Sequence, residues 1–174
     1  MSNKKKHKIK VIDNFLPLEQ FKSIQDFLSG SYFPWHYNDK AVDKNSYRQF
    51  VHNFYRNTYY NYSVSPFMDH IKPLLNKLDP AIEYLFRIKA NSTFPEDQKQ
   101  NYYFHKDFSV PGGMAAVYYI NTNDGATVFP DNQFVESKEN RIVIFSNEVE
   151  HGVKRHSFGD NRIVININWL PFVG

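Results

Sequence analysis

From residue 84 onward the apolar residues recur at every second position, and this period of two constrains the fold more than any other feature of the chain. It marks strand candidates at 84–90, 102–108, 114–121, 126–129, 141–145, 151–154 and 162–169. Turn signals separate them: Pro111-Gly112-Gly113, Asn123-Asp124-Gly125, Ser146-Asn147 and Gly159-Asp160-Asn161. Short strands punctuated in this way predict a sandwich or jelly roll. Before residue 84 the period is mostly helical. Ile9 and Val11 suggest a short strand, and Pro17 then opens a helix in which Leu18, Phe21, Ile24 and Leu28 share a stripe, closing at Ser29-Gly30. A second helix is expected from Ser65-Pro66, with Phe67, Ile71, Leu74, Leu75 and Leu78 as its apolar side. Pro73 interrupts that stripe, so a kink or a late start is predicted there. Residues 50–55 alternate loosely and form a further strand candidate. The expectation is a mainly β chain of one domain over 1–174, with helical support over 1–83 and a β core over 84–174.

Composition narrows the chemistry. The 174 residues include no cysteine, which excludes disulfides, thiolate metal sites and cysteine nucleophiles, so any transition metal must be held by imidazole and carboxylate. Aromatic residues make up 17%, with 12 Tyr and 16 Phe, a composition suited to half-buried pleated surfaces. Apolar runs fall far short of the ~20 residues that span a bilayer. Much of the formal net charge of +3 comes from Lys4, Lys5, Lys6, Lys8 and Lys10, followed by no apolar signal core. A cytoplasmic protein with no membrane association is expected. The basic run reads as a solvated arm, and nucleic acid is not an expected partner, because no tract interleaves basic and aromatic residues densely.

The chemistry starts at His105-Lys106-Asp107. On a strand, residues i and i+2 point to one side, so this imidazole and carboxylate can reach a single ion. Taken alone the tripeptide is weak, because 7 His and 18 Asp plus Glu give roughly 0.7 such pairs by chance. A second imidazole from another strand would complete a 2-His-1-carboxylate facial triad, which leaves open positions on Fe(II). His151 follows the apolar strand 141–145 and a turn, at a strand entrance; His156 competes with it. Arg162 then opens Arg-Ile-Val-Ile-Asn-Ile-Asn-Trp, in which Arg162, Val164, Asn166 and Asn168 share one side and Ile163, Ile165, Ile167 and Trp169 the other. An Arg and two Asn make poor core filler, since buried polar groups need partners, but they suit a pocket in which a guanidinium grips a carboxylate.

These segments resemble the prolyl-4-hydroxylase-type branch of the Fe(II)/2-oxoglutarate dioxygenases, well over 84–170 and loosely before. His105-Lys106-Asp107 is similar to the family's H-x-D, His151-Gly152-Val153 to its distal histidine segment, and Arg162 to its basic co-substrate residue. Tyr118-Tyr119-Ile120-Asn121 resembles a Tyr-Tyr-Leu-Asn strand, and 124–129 resembles a Gly-Gly-x-Thr-x-Phe segment with Asp124 in place of the first Gly. The resemblance implies a double-stranded β-helix (a jelly roll, cupin-like) backed by N-terminal helices, with Fe(II) on His105, Asp107 and His151. It implies 2-oxoglutarate held by Arg162 and Tyr119, O2 as oxidant, and ascorbate as an accessory reductant. The reaction implied is hydroxylation of a C–H bond, of a prolyl or other amino-acid residue in a peptide or protein, with release of succinate and CO2. Asp107 separates the chain from halogenating relatives, which lack that carboxylate. His151 is preferred over His156 for its spacing to Arg162, and Arg162 over Lys154 and Arg155.

Tyr102 occupies a position where relatives carry a pocket tyrosine, although an ordinary sheet aromatic reads equally well. Asn166 is a candidate for a pocket hydrogen bond. Arg87 and Asn91 could address substrate but fit a surface placement better. Residues 91–100 read as a mobile loop over the mouth, and Trp35 and Tyr37 as a further wall. Alternatives are a cupin-like metal-binding module without turnover and an oxygenase of a free small molecule. Oxidative demethylation of nucleic acid is disfavoured, because Asn168 stands where such relatives carry a further Arg.

Overall fold

A computed structural model describes residues 8–38, 48–58, 61–95, 102–108 and 110–172. Its elements in order are β1 (Ile9–Ile12), α1 (Leu18–Ser29), β2 (His36–Asn38), β3 (Gln49–Thr58), β4 (Asn61–Val64), a 3-10 turn (Met68–Ile71), α2 (Lys72–Asn76), β5 (Ile82–Thr93), β6 (Met114–Tyr119), β7 (Ala126–Val128), β8 (Phe134–Glu136), β9 (Arg141–Ser146), β10 (Gly152–Lys154) and β11 (Arg162–Pro171). Eight strands form one antiparallel sheet in the order β1-β9-β6-β11-β5-β3-β2, with β4 paired to β3; β10-β7-β8 form a smaller sheet. The fold is a mainly β jelly roll, as the period of two predicts. No described helix is long and apolar enough to cross a membrane.

The large sheet buries apolar residues on one side throughout and on part of the other. On one side Ile88, Ala90, Tyr118, Ile142, Ile144, Ile163, Ile165, Ile167 and Trp169 pack with Phe21, Ile24 and Leu28 of α1 and with Ile71 and Leu74 beyond it. Each fully buried aliphatic or aromatic side chain there contributes roughly 1.5–3 kcal/mol. On the other side Val117, Tyr119, Val143, Phe145 and Val164 meet Phe129 and Val135 of the smaller sheet. Asn140 clips the N-terminal segment onto this frame. In a left-handed backbone conformation (φ 58°), it accepts from Leu16 N at 2.9 Å and Tyr118 Oη at 2.8 Å, and donates to Leu16 O at 2.9 Å.

Several local expectations need correction. Leu18 is exposed, because at helical spacing it falls to the flank of the stripe that Phe21, Ile24 and Leu28 bury. Of the kink or late start expected at Pro73, the late start is what occurs: the segment begins as a 3-10 turn, and α2 follows with Pro73 in its first turn, where a missing N–H costs nothing. Ser65 is not the cap expected of it: the 3-10 turn starts at Met68 with Phe67 as its N-cap residue, and Ser65 Oγ accepts from Phe67 N at 3.1 Å in the turn before it. Residues 102–108 are not a strand: only His105 pairs, in an isolated bridge with His151. Residues 91–93 are not loop, because they continue β5 between β3 and β11; residues 96–100 of the expected mobile loop lie outside the described residues. Trp35 packs beside Phe33 and donates to Leu28 O, while Tyr37 stays exposed on β2.

Candidate metal centre

His105 and His151 face each other across two reciprocal backbone hydrogen bonds of 3.0 Å. Gly152 makes that crossing possible: a Cβ there would stand 2.8 Å from the carbonyl oxygen of Tyr103. The bridge brings the imidazoles together with Asp107, and their ligand atoms lie within 4.8 Å of one another. His105 Nε2 is 3.6 Å from Asp107 Oδ1 and His151 Nε2 is 3.9 Å from Oδ2. An ion with bonds of about 2.1 Å can hold two ligands up to about 4.2 Å apart, so the carboxylate and either imidazole fit around one centre. The donor set, two imidazoles and a carboxylate without thiolate, suits a first-row divalent metal with open positions.

A triangle of polar contacts holds the carboxylate. Arg87 Nη2 lies 2.8 Å from Asp107 Oδ1, Asn168 Nδ2 donates to Oδ2 at 3.2 Å, and Arg87 Nε donates to Asn168 Oδ1 at 3.2 Å. Burial alone would raise the Asp107 carboxyl, but the Arg87 charge and the His105 and His151 contacts outweigh it and hold the group well below the usual range. For His151, burial dominates and lowers its basicity, against the opposing pull of Asp107, favouring the neutral ring that ligates metal. Arg87 is therefore not a surface residue. The regular antiparallel register of β11 with β5, unbroken from Arg162↔Thr93 to Asn168↔Arg87, places it opposite Asn168. Its guanidinium also lies 5.3 Å from the Phe108 ring centre. Sequence patterning carries no signal for this, because the contact depends on strand register.

Along β11 from Asn168 the same side of the strand leads to Arg162, which is buried. Arg162 Nε donates to Ser137 Oγ at 2.7 Å, and its guanidinium carbon lies 5.5 Å from the Tyr119 ring centre. Among the described residues no carboxylate pairs with it. Burial makes Arg162 less basic, with Tyr119 opposing that shift. Gly125 gives the side chain room, since a Cβ there would sit 2.9 Å from Arg162 Cδ. Tyr119 is also buried, donating to Thr127 Oγ1 at 2.6 Å, and burial raises its hydroxyl. Asp124, in place of a glycine, accepts from Ser157 N and Oγ at 2.8 and 2.6 Å and closes the neighbouring turn.

The other candidates are dispersed. Tyr102 sits against Phe104 and Phe134. Asn166 lies on the site side of β11 opposite Lys89 and Val117, while Asn168 makes the contact with Asp107. His156 turns Nε2 to Asp160 O, outside the cluster, and Arg155 donates to Phe94 O. Asn91 is buried on β5, not exposed.

No family model matches the chain and no curated protein matches it in sequence. Solved structures do match. An oxidoreductase of the 2OG-Fe(II) oxygenase family from Burkholderia pseudomallei superimposes with a TM-score of 0.67 at 13% identity, over 92% of this chain and 84% of that one. A prolyl-4-hydroxylase from Pseudomonas putida gives 0.61 at 17% identity, over 96% and 94%. The chain has the fold of the 2OG-Fe(II) oxygenases. A third structure with this oxygenase fold, HygX from Streptomyces hygroscopicus with nickel and 2-oxoglutarate bound, gives 0.59 at 12% identity, over 95% and 83%.

Proposed function

We propose that the chain is an Fe(II)- and 2-oxoglutarate-dependent oxygenase, one domain over 1–174. We further propose that it hydroxylates a C–H bond in an amino-acid substrate, a prolyl or other residue of a peptide or the corresponding small molecule. The observation that carries this reading is Arg162: a buried guanidinium without a carboxylate partner among the described residues, on the same strand side as the Asn168 that supports Asp107. A buried unpaired charge is costly. A structural metal site has no use for one, whereas a dicarboxylate co-substrate supplies its partner.

In this reading His105, Asp107 and His151 hold the metal. When bound, the iron and 2-oxoglutarate supply the oxidising chemistry with O2, yielding succinate and CO2. The chain's own residues position and protect. Arg162 and Tyr119 grip the far carboxylate, the guanidinium by charge and the phenol by a hydrogen bond that exchanges its Thr127 partner. Arg87 and Asn168 fix Asp107 and keep it ionised. Phe145 stacks edge-on with His151, 4.9 Å between ring centres, and shields that ring from water.

The test is succinate formation from 2-oxoglutarate with Fe(II) and ascorbate, alongside calorimetric binding of 2-oxoglutarate to Mn(II)-loaded protein. Wild type is expected to do both, and Arg162→Met to lose roughly 100-fold in affinity. Metal binding without 2-oxoglutarate binding would favour the cupin-like module instead.

A further inference from the structure

Beside the metal cluster lies a cation that neither the triad nor Arg162 accounts for. On β5, Arg87, Lys89 and Asn91 occupy alternate positions facing the site, while Ile88 and Ala90 between them enter the helix-backed core. Antiparallel register places Lys89 between Asn166 of β11 and Asn53 of β3, and Asn91 between Val164 and Val51. Lys89 is partly buried, and Asn53 at the open side is exposed, so the stripe opens to solvent there. Among the described residues no hydrogen bond or ion pair reaches the Lys89 amine. Asp107 attracts it from a distance but is already occupied by Arg87 and Asn168, and Arg87 and Arg56 repel it. Asn91, 8% exposed, keeps an enclosed Oδ1 without a donor. A partly buried ammonium among three asparagines and two arginines, beside an acceptor that lacks a donor, offers a ligand one charge and one acceptor to pair with.

Resting on the oxygenase reading, we propose that Lys89 receives a carboxylate of the prime substrate, with Asn91 Oδ1 accepting from a neighbouring N–H of the same molecule. This assigns a second anion position, separate from the one at Arg162, and makes the substrate class an acid: a free amino acid, or a peptide presenting a carboxylate near its reacting carbon. Burial and Arg87 push the Lys89 amine down to about 8, so at neutral pH it is still mostly charged and able to pair.

The experiment is NMR of the Lys89 side chain in Mn(II)-free protein loaded with Zn(II) and saturated with 2-oxoglutarate. Four probes are titrated: acetate, acetamide, N-acetylglycine and N-acetyl-glutamate amide. Acetate is expected to shift the Lys89 signals saturably and acetamide to leave them unmoved. Lys89→Arg is expected to retain carboxylate binding, measured by calorimetry, and Lys89→Gln to weaken it at least about 10-fold. Tighter binding of N-acetylglycine than of acetate identifies an α-carboxylate source, and tighter binding of the glutamate derivative a side-chain source. Acetate and acetamide behaving alike, acetate displaced in full by 2-oxoglutarate, or Lys89→Gln binding as wild type would each overturn the proposal. If 2-oxoglutarate itself fails to bind the Zn(II)-loaded protein, the oxygenase reading fails, while the acetate titration still reports on Lys89.

Discussion

The two sides of β11 separate stability from chemistry at single-residue intervals. Ile163, Ile165, Ile167 and Trp169 are buried against α1 and its neighbours, where every contact lowers the free energy of folding. Arg162, Val164, Asn166 and Asn168 alternate with them and face the site, where burial opposes charge: it makes Arg162 and Lys89 less basic and pushes against the ionised form of Asp107, which Arg87 and the two histidines favour. One strand can carry both because its residues alternate sides, so a slip of one position would exchange them. The difference teaches that the polar side is tolerated because the apolar side supplies the stability.

The largest expected effect comes from the polar side. His151→Ala is expected to lower 2-oxoglutarate turnover by at least about 10^3-fold, equivalent to about 4 kcal/mol of transition-state stabilisation. Its melting temperature without metal should stay near wild type. A succinate assay paired with a thermal scan checks both, and a variant that loses its fold along with its activity would break the division between the sides. The matching change on the apolar side, Ile165→Ala, is expected to cost about 2–5 kcal/mol in urea unfolding, from lost transfer energy and the cavity left behind. Its folded fraction should bind Mn(II) as wild type does. Weakened metal affinity there would mean that the two sides are coupled through the backbone.

Arg87→Met sharpens the comparison by removing support without touching a ligand. The Asp107 carboxylate would lose its guanidinium contact and part of its orientation, and metal affinity is expected to fall about 10–100-fold by calorimetry. Unchanged affinity would show that Asn168 alone suffices to hold the carboxylate.

The apolar side was far more legible in the sequence than the polar one. The strands 141–146 and 162–171 announce themselves because their alternation coincides with burial on two different cores, and the placement of Tyr118 and Tyr119 on opposite sides follows from the same period. The 102–108 segment misleads: Tyr102, Tyr103 and Phe104 read as strand in either register, but its path is set by a crossing over Gly152 that only tertiary structure supplies. The strands β2, β4 and β8 carry no pattern, since β4 is exposed throughout and β8 buries only Val135. Of the residues around the candidate metal centre, His105, Asp107, His151 and Arg162 could be named from residue type and order. Arg87 and Asn168 could not be assigned to Asp107, because their contacts require knowing that β5 and β11 are neighbours and in which register they pair. Lys89 is hidden for the same reason: in sequence it is one more lysine on a strand.

The smallest effect tests whether the polar side costs stability, and it can be read from pH alone. The Lys89 amine titrates near 8 in the folded chain, against an ordinary value of 10.5, so folding penalises its charged form. Below pH 8 that penalty is present in full. Between about 8 and 10.5 the unfolded chain binds the proton that the folded chain has released, so stability rises with pH in that window. Lys89→Met removes the penalty and keeps the aliphatic stem. Discounted for the solvent that reaches a partly buried side chain, the variant is expected to be more stable than wild type by roughly 1 kcal/mol at pH 7. The gap should narrow as pH approaches 10 in parallel urea titrations. A variant no more stable than wild type at pH 7, or a gap that widens with pH, would mean that the Lys89 ammonium is well solvated or paired in the folded chain, and that the polar side carries less strain than its burial implies.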